Sequence, residues 1–168
     1  MYALKPLSPA AIPAALAKAE RYRLLNEPAQ AESICEDVLA ADAGNEEATR
    51  VLLLALTDQF PQQDTSVIGR AQALVAGLAS DYDRAYYSGL IAERRTRALL
   101  DRSGPGSTLP AGAWLRDAMR WFERADEIRP AGNDDARLRW NACVRLAARH
   151  PQLLSTADDD VSQPLMLE

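Results

Sequence analysis

The sequence predicts an all-α fold, and three observations carry that expectation. Alanine occupies 31 of the 168 positions while Thr, Val and Ile are sparse, apolar residues recur at helical spacing, and Pro, Gly and Asn/Asp clusters punctuate the chain at intervals suited to helix lengths. Periodicity places seven helices, over 13–25, 29–41, 46–58, 66–78, 83–102, 111–129 and 134–149.

The boundaries follow from residue chemistry. Pro28 sits where a second helix begins, in a first turn that does not need its missing N–H. Asp42-Ala43-Gly44-Asn45 and Pro130-Ala131-Gly132-Asn133 each provide a stop, a flexible Gly and a side chain able to cap the next helix. The stretches 60–66 and 103–110 read as surface loops. One domain is expected: an extended lead-in over 1–12, a helical body over 13–149, and an acidic, poorly ordered tail over 150–168.

Net charge is −5, unevenly spread: residues 1–83 carry 6 basic and 12 acidic side chains, 84–150 carry 13 and 8, and 151–168 carry none and 4. Seventeen of the 19 basic residues are Arg. No apolar run reaches membrane-spanning length, and Pro6, Pro9 and Pro13 interrupt the only stretch that resembles a signal, so the expected location is cytoplasmic. Cys35 and Cys143, far apart in apolar helical contexts, read as buried free thiols.

Catalytic equipment is not visible. The single histidine, His150, precedes Pro151 at a helix end, where it favours the helix dipole rather than base catalysis. Neither cysteine has a Cys or His at metal-ligand spacing, and Ser103-Gly104-Pro105-Gly106-Ser107 lacks the strand before it and the Lys after it that a phosphate loop needs. Asp134-Asp135 suits a helix start. The expectation is a non-enzyme with no cofactor and no metal.

A seam recurs. Ala118, Phe122 and Ala125 share one helix face and Pro130 ends the helix; Ala31, Cys35 and Val38 repeat the pattern before Asp42-Ala43-Gly44-Asn45, and Ala71, Val75 and Leu78 form a fainter copy. Small residues flanking a large one let a neighbouring helix approach closely. These residues resemble the second helix of the tetratricopeptide repeat, and Ala19 with Tyr22 resembles its first; Leu53 and Leu56 fit that first-helix pattern poorly. Gly89, with Ala85, Ser88, Ala92 and Thr96, makes a small stripe on which another backbone is expected to pass. The resemblance covers about residues 13–149, with spacings of 40 and 47 residues between copies where the family period is about 34. It implies a right-handed superhelical stack of about three antiparallel helix hairpins, closed by a C-terminal capping helix whose Leu138, Ala142 and Leu146 form the packing face.

What the resemblance implies for function is a small adaptor of bacterial type that binds another protein along its concave surface. Carried over from the small position of each first helix, that surface would include Arg50 and Leu54, then Tyr86, Tyr87, Leu90, Glu93 and Arg94, then Leu138, Arg139, Ala142 and Arg145. Tyr and Arg are suited to interface centres, and an extended segment bearing acidic or carboxylate groups is the matching ligand. Other readings of the same residues stand beside this one. Tyr86 and Tyr87 pack between hairpins; Trp114, Trp121 and Trp140 are core; Arg94, Arg95 and Arg97 form a solvated face with a Glu93–Arg97 pair. Arg116, Arg120 and Arg124 make a like-charged row. The tail, with Asp158-Asp159-Asp160 and Leu165-Met166-Leu167, either occupies a basic surface of its own or a neighbouring molecule or remains solvated. Alternative functions are nucleic-acid binding through the Arg-rich half and a structural assembly subunit.

Overall fold

The computed structural model describes residues 2–62, 65–102 and 108–154; the expectations placed on Gln63-Asp64, on Ser103–Ser107 and on the tail from Ser155 lie outside the described residues. Seven α-helices account for the described body: α1 Ile12–Leu24, α2 Pro28–Ala41, α3 Glu46–Asp58, α4 Thr65–Ala76, α5 Asp81–Asp101, α6 Thr108–Glu127 and α7 Asp135–Arg149. Short 3₁₀ turns, Pro9–Ala11 and Pro151–Leu153, precede and follow them. No strand occurs among the described residues, and no helix there is long and apolar enough to cross a membrane.

Local chemistry sets the helix ends. Asn26 takes a left-handed conformation, φ 60°, and the N–H groups of Asn26 and Glu27 bond back to the carbonyls of Arg23 and Tyr22, which closes α1 with the paired bonds of a Schellman turn. Asn45 Oδ1 accepts from the Ala48 N–H at 2.9 Å and caps α3. Ser80 Oγ accepts from the Asp83 N–H at 3.3 Å and starts α5 two residues earlier than periodicity suggests. Helix α6 also begins early, at Thr108, because Pro110 is tolerated in a first turn whose N–H groups have no intrahelical acceptor. Gly132 is left-handed, φ 80°, and turns the chain so that Asn133 Oδ1 accepts from the Asp135 N–H at 2.9 Å and from the Tyr82 hydroxyl at 3.1 Å.

Each helix packs on its successor, and each odd helix also touches the next odd one: α1 with α3, α3 with α5, α5 with α7. All three seams are buried: Ala118, Phe122 and Ala125, then Ala31, Cys35 and Val38, then Ala71, Val75 and Leu78. Two large core clusters result. One joins α1–α4 to Ile91 and Ala98; the other joins α5, α6, α7 and Leu153. Tyr87 and Trp114 pack against both and bridge them.

The structure corrects several expectations. What fills the space above Gly89 is a ring, not a backbone: a Cβ there would meet Cδ1 and Cε1 of Phe122 at 2.7 Å. The close backbone lies instead at Gly112, where a Cβ would fall 2.2 Å from the Leu153 carbonyl oxygen. Phe60, assigned to a surface loop, is fully buried, because the end of α3 turns it back into the core. On α7 the packed positions are Ala136, Cys143, Leu146 and Ala147, whereas Leu138 is 65% exposed, so the inward face is rotated from the one read in the sequence. Trp121 is 43% exposed rather than core, since it projects from α6 where none of the described helices covers it. Packing also continues past Arg149, with Leu153 buried on α6.

The Gly89–Phe122 fit gives a stability prediction. Gly89→Ala gains about 1 kcal/mol of helix propensity, but the overlap with a fully buried ring outweighs it, for a net loss of about 1–2 kcal/mol in urea denaturation. In a Phe122→Leu background, where the ring is gone, the same substitution is expected to lose that penalty and become neutral or stabilising.

Candidate functional site

Four odd helices converge on one groove of about 450 Å³. Its charged lining comes from Arg23 of α1, Asp58 of α3, Glu93, Arg94, Arg97 and Asp101 of α5, and Arg139 of α7. Among the described residues, no even helix contributes to the lining.

The arrangement is two carboxylates, each held between two guanidinium groups. Arg23 Nε donates to Asp58 Oδ2 at 2.8 Å, and Arg94 Nη1 donates to Asp58 Oδ1 from the other side. Arg97 donates through Nε and Nη2 to Glu93 Oε1, at 3.2 and 2.9 Å, while Arg139 Nη1 approaches Glu93 Oε2 at 3.5 Å. The first trio joins α1, α3 and α5; the second joins α5 and α7. Glu93 is the deeper carboxylate, only 1% exposed, whereas Arg97 and Arg139 are 45% and 37% exposed. A carboxylate taken out of water needs charged partners, and two guanidinium groups supply them. Each trio therefore carries an excess positive charge, and its arginines present further N–H donors toward the groove.

Aromatic residues extend the site. Tyr82 and Tyr86 stack at 5.9 Å, and Tyr86 meets Tyr87 edge-on at 5.3 Å. Burial draws the Arg139 guanidinium down, but hydrogen bonding with Tyr86 and the Glu93 charge outweigh it, so its pKa is raised. Burial, followed by the nearby Asp83 charge, pushes the Tyr87 hydroxyl up to about 12. Among the described residues no cluster of three His, Cys, Asp or Glu side chains is placed to hold a metal ion. Cys35 and Cys143 are buried free thiols, each pushed up to about 12, chiefly by burial.

Of the residues singled out in the sequence, Arg94 and Arg139 line the groove and Tyr86 reaches Arg139. Arg50 is engaged elsewhere, with Asp83 at 2.8 Å and Glu46 at 2.7 Å. Tyr87 is half-buried beside it, and Leu90 is core, 1% exposed. Arg145 is exposed and outside the lining, because it stands six residues from Arg139, well round the helix at 3.6 residues per turn. Arg23, Asp58 and Arg97 were not among the selected binding residues. A shared offset could have found Arg23, which follows the small first-helix residue Ala19 by four positions as Glu93 follows Gly89, whereas Asp58 follows the large Leu53 by five and Arg97 follows Gly89 by eight.

Comparison of the chain with protein-family models, with curated proteins and with solved structures finds no match.

Two outcomes follow. Asp58→Asn leaves Arg23 and Arg94 converging without a counter-ion; with these groups only partly buried, the expected loss is about 1–2 kcal/mol in urea denaturation, smaller in high salt. Raising pH is expected to destabilise the fold. Cys35, Cys143, Tyr82 and Tyr87 all have pKa values raised to about 12, chiefly by burial, so the unfolded chain loses its protons first, and urea midpoints should fall steadily as pH rises from about 9 toward about 12.

Proposed function

We propose that the chain is a non-catalytic protein-interaction module, a right-handed tetratricopeptide-like stack of hairpins closed by α7, which holds an acidic or carboxylate-bearing segment of another protein in the odd-helix groove. The observation that carries this reading is the pair of arginine–carboxylate–arginine trios lining one groove, drawn from the odd helices. The next-but-one packing of odd helices supports the superhelical arrangement, since curvature of a hairpin stack brings one helix of each pair to the inside. An incoming carboxylate gains charge-assisted hydrogen bonds from donors that Asp58 and Glu93 already hold in place, which limits the ordering cost of binding.

Nucleic-acid binding is the weaker alternative. Arg120, Arg124, Arg129 and Arg137, from the Arg-rich half, are each paired with acidic neighbours: Asp117, Glu127, Asp126 with Asp134, and Asp126. A phosphate backbone would have to compete with carboxylates at each of those positions.

Selection of peptides from a displayed random library tests the proposal. Selected peptides are expected to share carboxylates, and an Arg94→Ala, Arg139→Ala variant that retains the helical circular-dichroism signal is expected to bind them about tenfold or more weakly. Peptides without acidic groups, or binding indifferent to the double substitution, would remove the groove as the site.

A further inference from the structure

On the far side of α5 from the groove lies a second concavity. Helices α4 and α6 both pack on α5, and between them they leave a cleft of about 220 Å³. Val75 of α4, Ile91 of α5, and Trp114 and Trp121 of α6 form its apolar walls. At 43% exposure, Trp121 leaves much of its indole open to water on this wall. Uncovered apolar area of that kind is worth about 25 cal/mol for each Å² a partner buries.

Arg95 lies on the same stripe of α5, three, four and seven residues beyond Ala92, Ile91 and Ser88, all of which line the cleft. Its Nε and Nη1 are buried and have no hydrogen-bond partner among the described residues. Burial, and then the charge of Arg102, pulls its pKa down. The cleft thus combines an apolar wall with the Arg95 charge on the adjoining turn of α5, while Asp117, the charged residue of its described lining, is held by Arg120 at 2.5 Å. That calls for an occupant with an acidic part and an apolar part.

The chain carries such a segment and delivers it to the right helix. Leu153 is buried on α6, its carbonyl accepting from Arg116 Nη1 at 3.3 Å and lying against Gly112. Residues 155–168 therefore start from the surface of the helix that bears both tryptophans. Fourteen residues reach about 45 Å when extended, several times the roughly 10–12 Å width of the helix they must cross. They contain Asp158-Asp159-Asp160 and then Leu165-Met166-Leu167, with no basic residue. The groove's described lining contains no aromatic side chain for the apolar triplet to pack on, whereas the cleft has two. We propose that residues 155–168 cross α6 and seat Leu165-Met166-Leu167 in this cleft against Trp114 and Trp121, with the Asp run toward Arg95. The proposal is independent of what the groove binds.

Indole N–H signals of the full-length, ¹⁵N-labelled protein provide the test. In a Leu165→Ser, Met166→Ser, Leu167→Ser variant the Trp114 and Trp121 signals are expected to move, tryptophan emission to shift to the red, and acrylamide quenching to increase. Trp140, which faces the α6–α7 surface, should stay in place. Asp158→Asn, Asp159→Asn, Asp160→Asn leaves the apolar triplet intact and should move the same two signals in the same direction by less, as should high salt. Unchanged Trp114 and Trp121 signals in the first variant would overturn the proposal. So would movement confined to the Arg94 and Arg97 side chains, or a full-length dimer that the Ser variant converts to monomer, which would assign the segment to a second copy.

Discussion

The contact on which the rest of the structure depends is the seating of Phe122 against Gly89. A Cβ at position 89 would sit 2.7 Å from the ring, so the absence of a side chain there is what lets α5 and α6 approach. Ala85, Ala92, Ala118 and Ala125 keep the same line of contact shallow, and all are buried. The cost of a mid-helix glycine, about 1 kcal/mol of propensity, is offset by burial of a whole aromatic ring, which contributes about 1.5–3 kcal/mol. With α5 and α6 locked, Leu153 docks at Gly112, α7 packs through Cys143 and Ala147, and the second core closes around them. The first core is then tied to the second by Tyr87 and Trp114, which belong to the same two helices.

Ion pairs work on a different axis from this packing. Arg23–Asp58, Asp58–Arg94, Arg50–Asp83 and Glu93–Arg139 each join one odd helix to the next odd helix. Hydrophobic burial holds each helix to its sequence neighbour, whereas charge fixes the register of alternate helices. Partly buried pairs of this kind add little net stability after desolvation, and their worth lies in geometry: a carboxylate shared by arginines from two helices is satisfied at one relative placement of those helices. The groove is thus defined by the same interactions that align its walls.

Much of the fold was legible in the sequence because small–large–small seams are a local signal. The seams at Ala31, Ala71 and Ala118 are all buried, and seven helices stand within a few residues of where periodicity puts them. Errors fell where a residue's fate depends on distant chain. Phe60 looked like loop because Pro61 follows it, yet α3 returns it to the core; Leu138 looked inward because helical spacing gives a face but not its orientation; Trp121 looked buried because nothing in the sequence says which helix is missing beside it. The site was legible in chemistry more than in membership. Arg94 and Arg139 belong to the groove, while Leu90, Arg50 and Arg145 are drawn off by core packing, by Asp83 and by helix phase.

Four of the groove residues stand at related offsets from buried contact residues. Arg23 follows Ala19 by four positions, Glu93 follows Gly89 by four, and Arg94 follows it by five; Asp58 follows Leu53 by five. Ala19, Leu53 and Gly89 are all buried at the helix contacts, so each anchors its helix at a comparable depth in the stack. One turn further along, four or five residues on, the side chain emerges at a comparable height. Offsets of four or five residues put the charged ends of α1 and α3 beside the middle of α5. Leu53 is large where the other two are small, yet Asp58 follows it at five positions as Arg94 follows Gly89, so the position in the contact, not the size of the residue there, sets the register to within one residue. A groove lined this way is a property of the repeated packing, and its charges are the part free to specify what it holds.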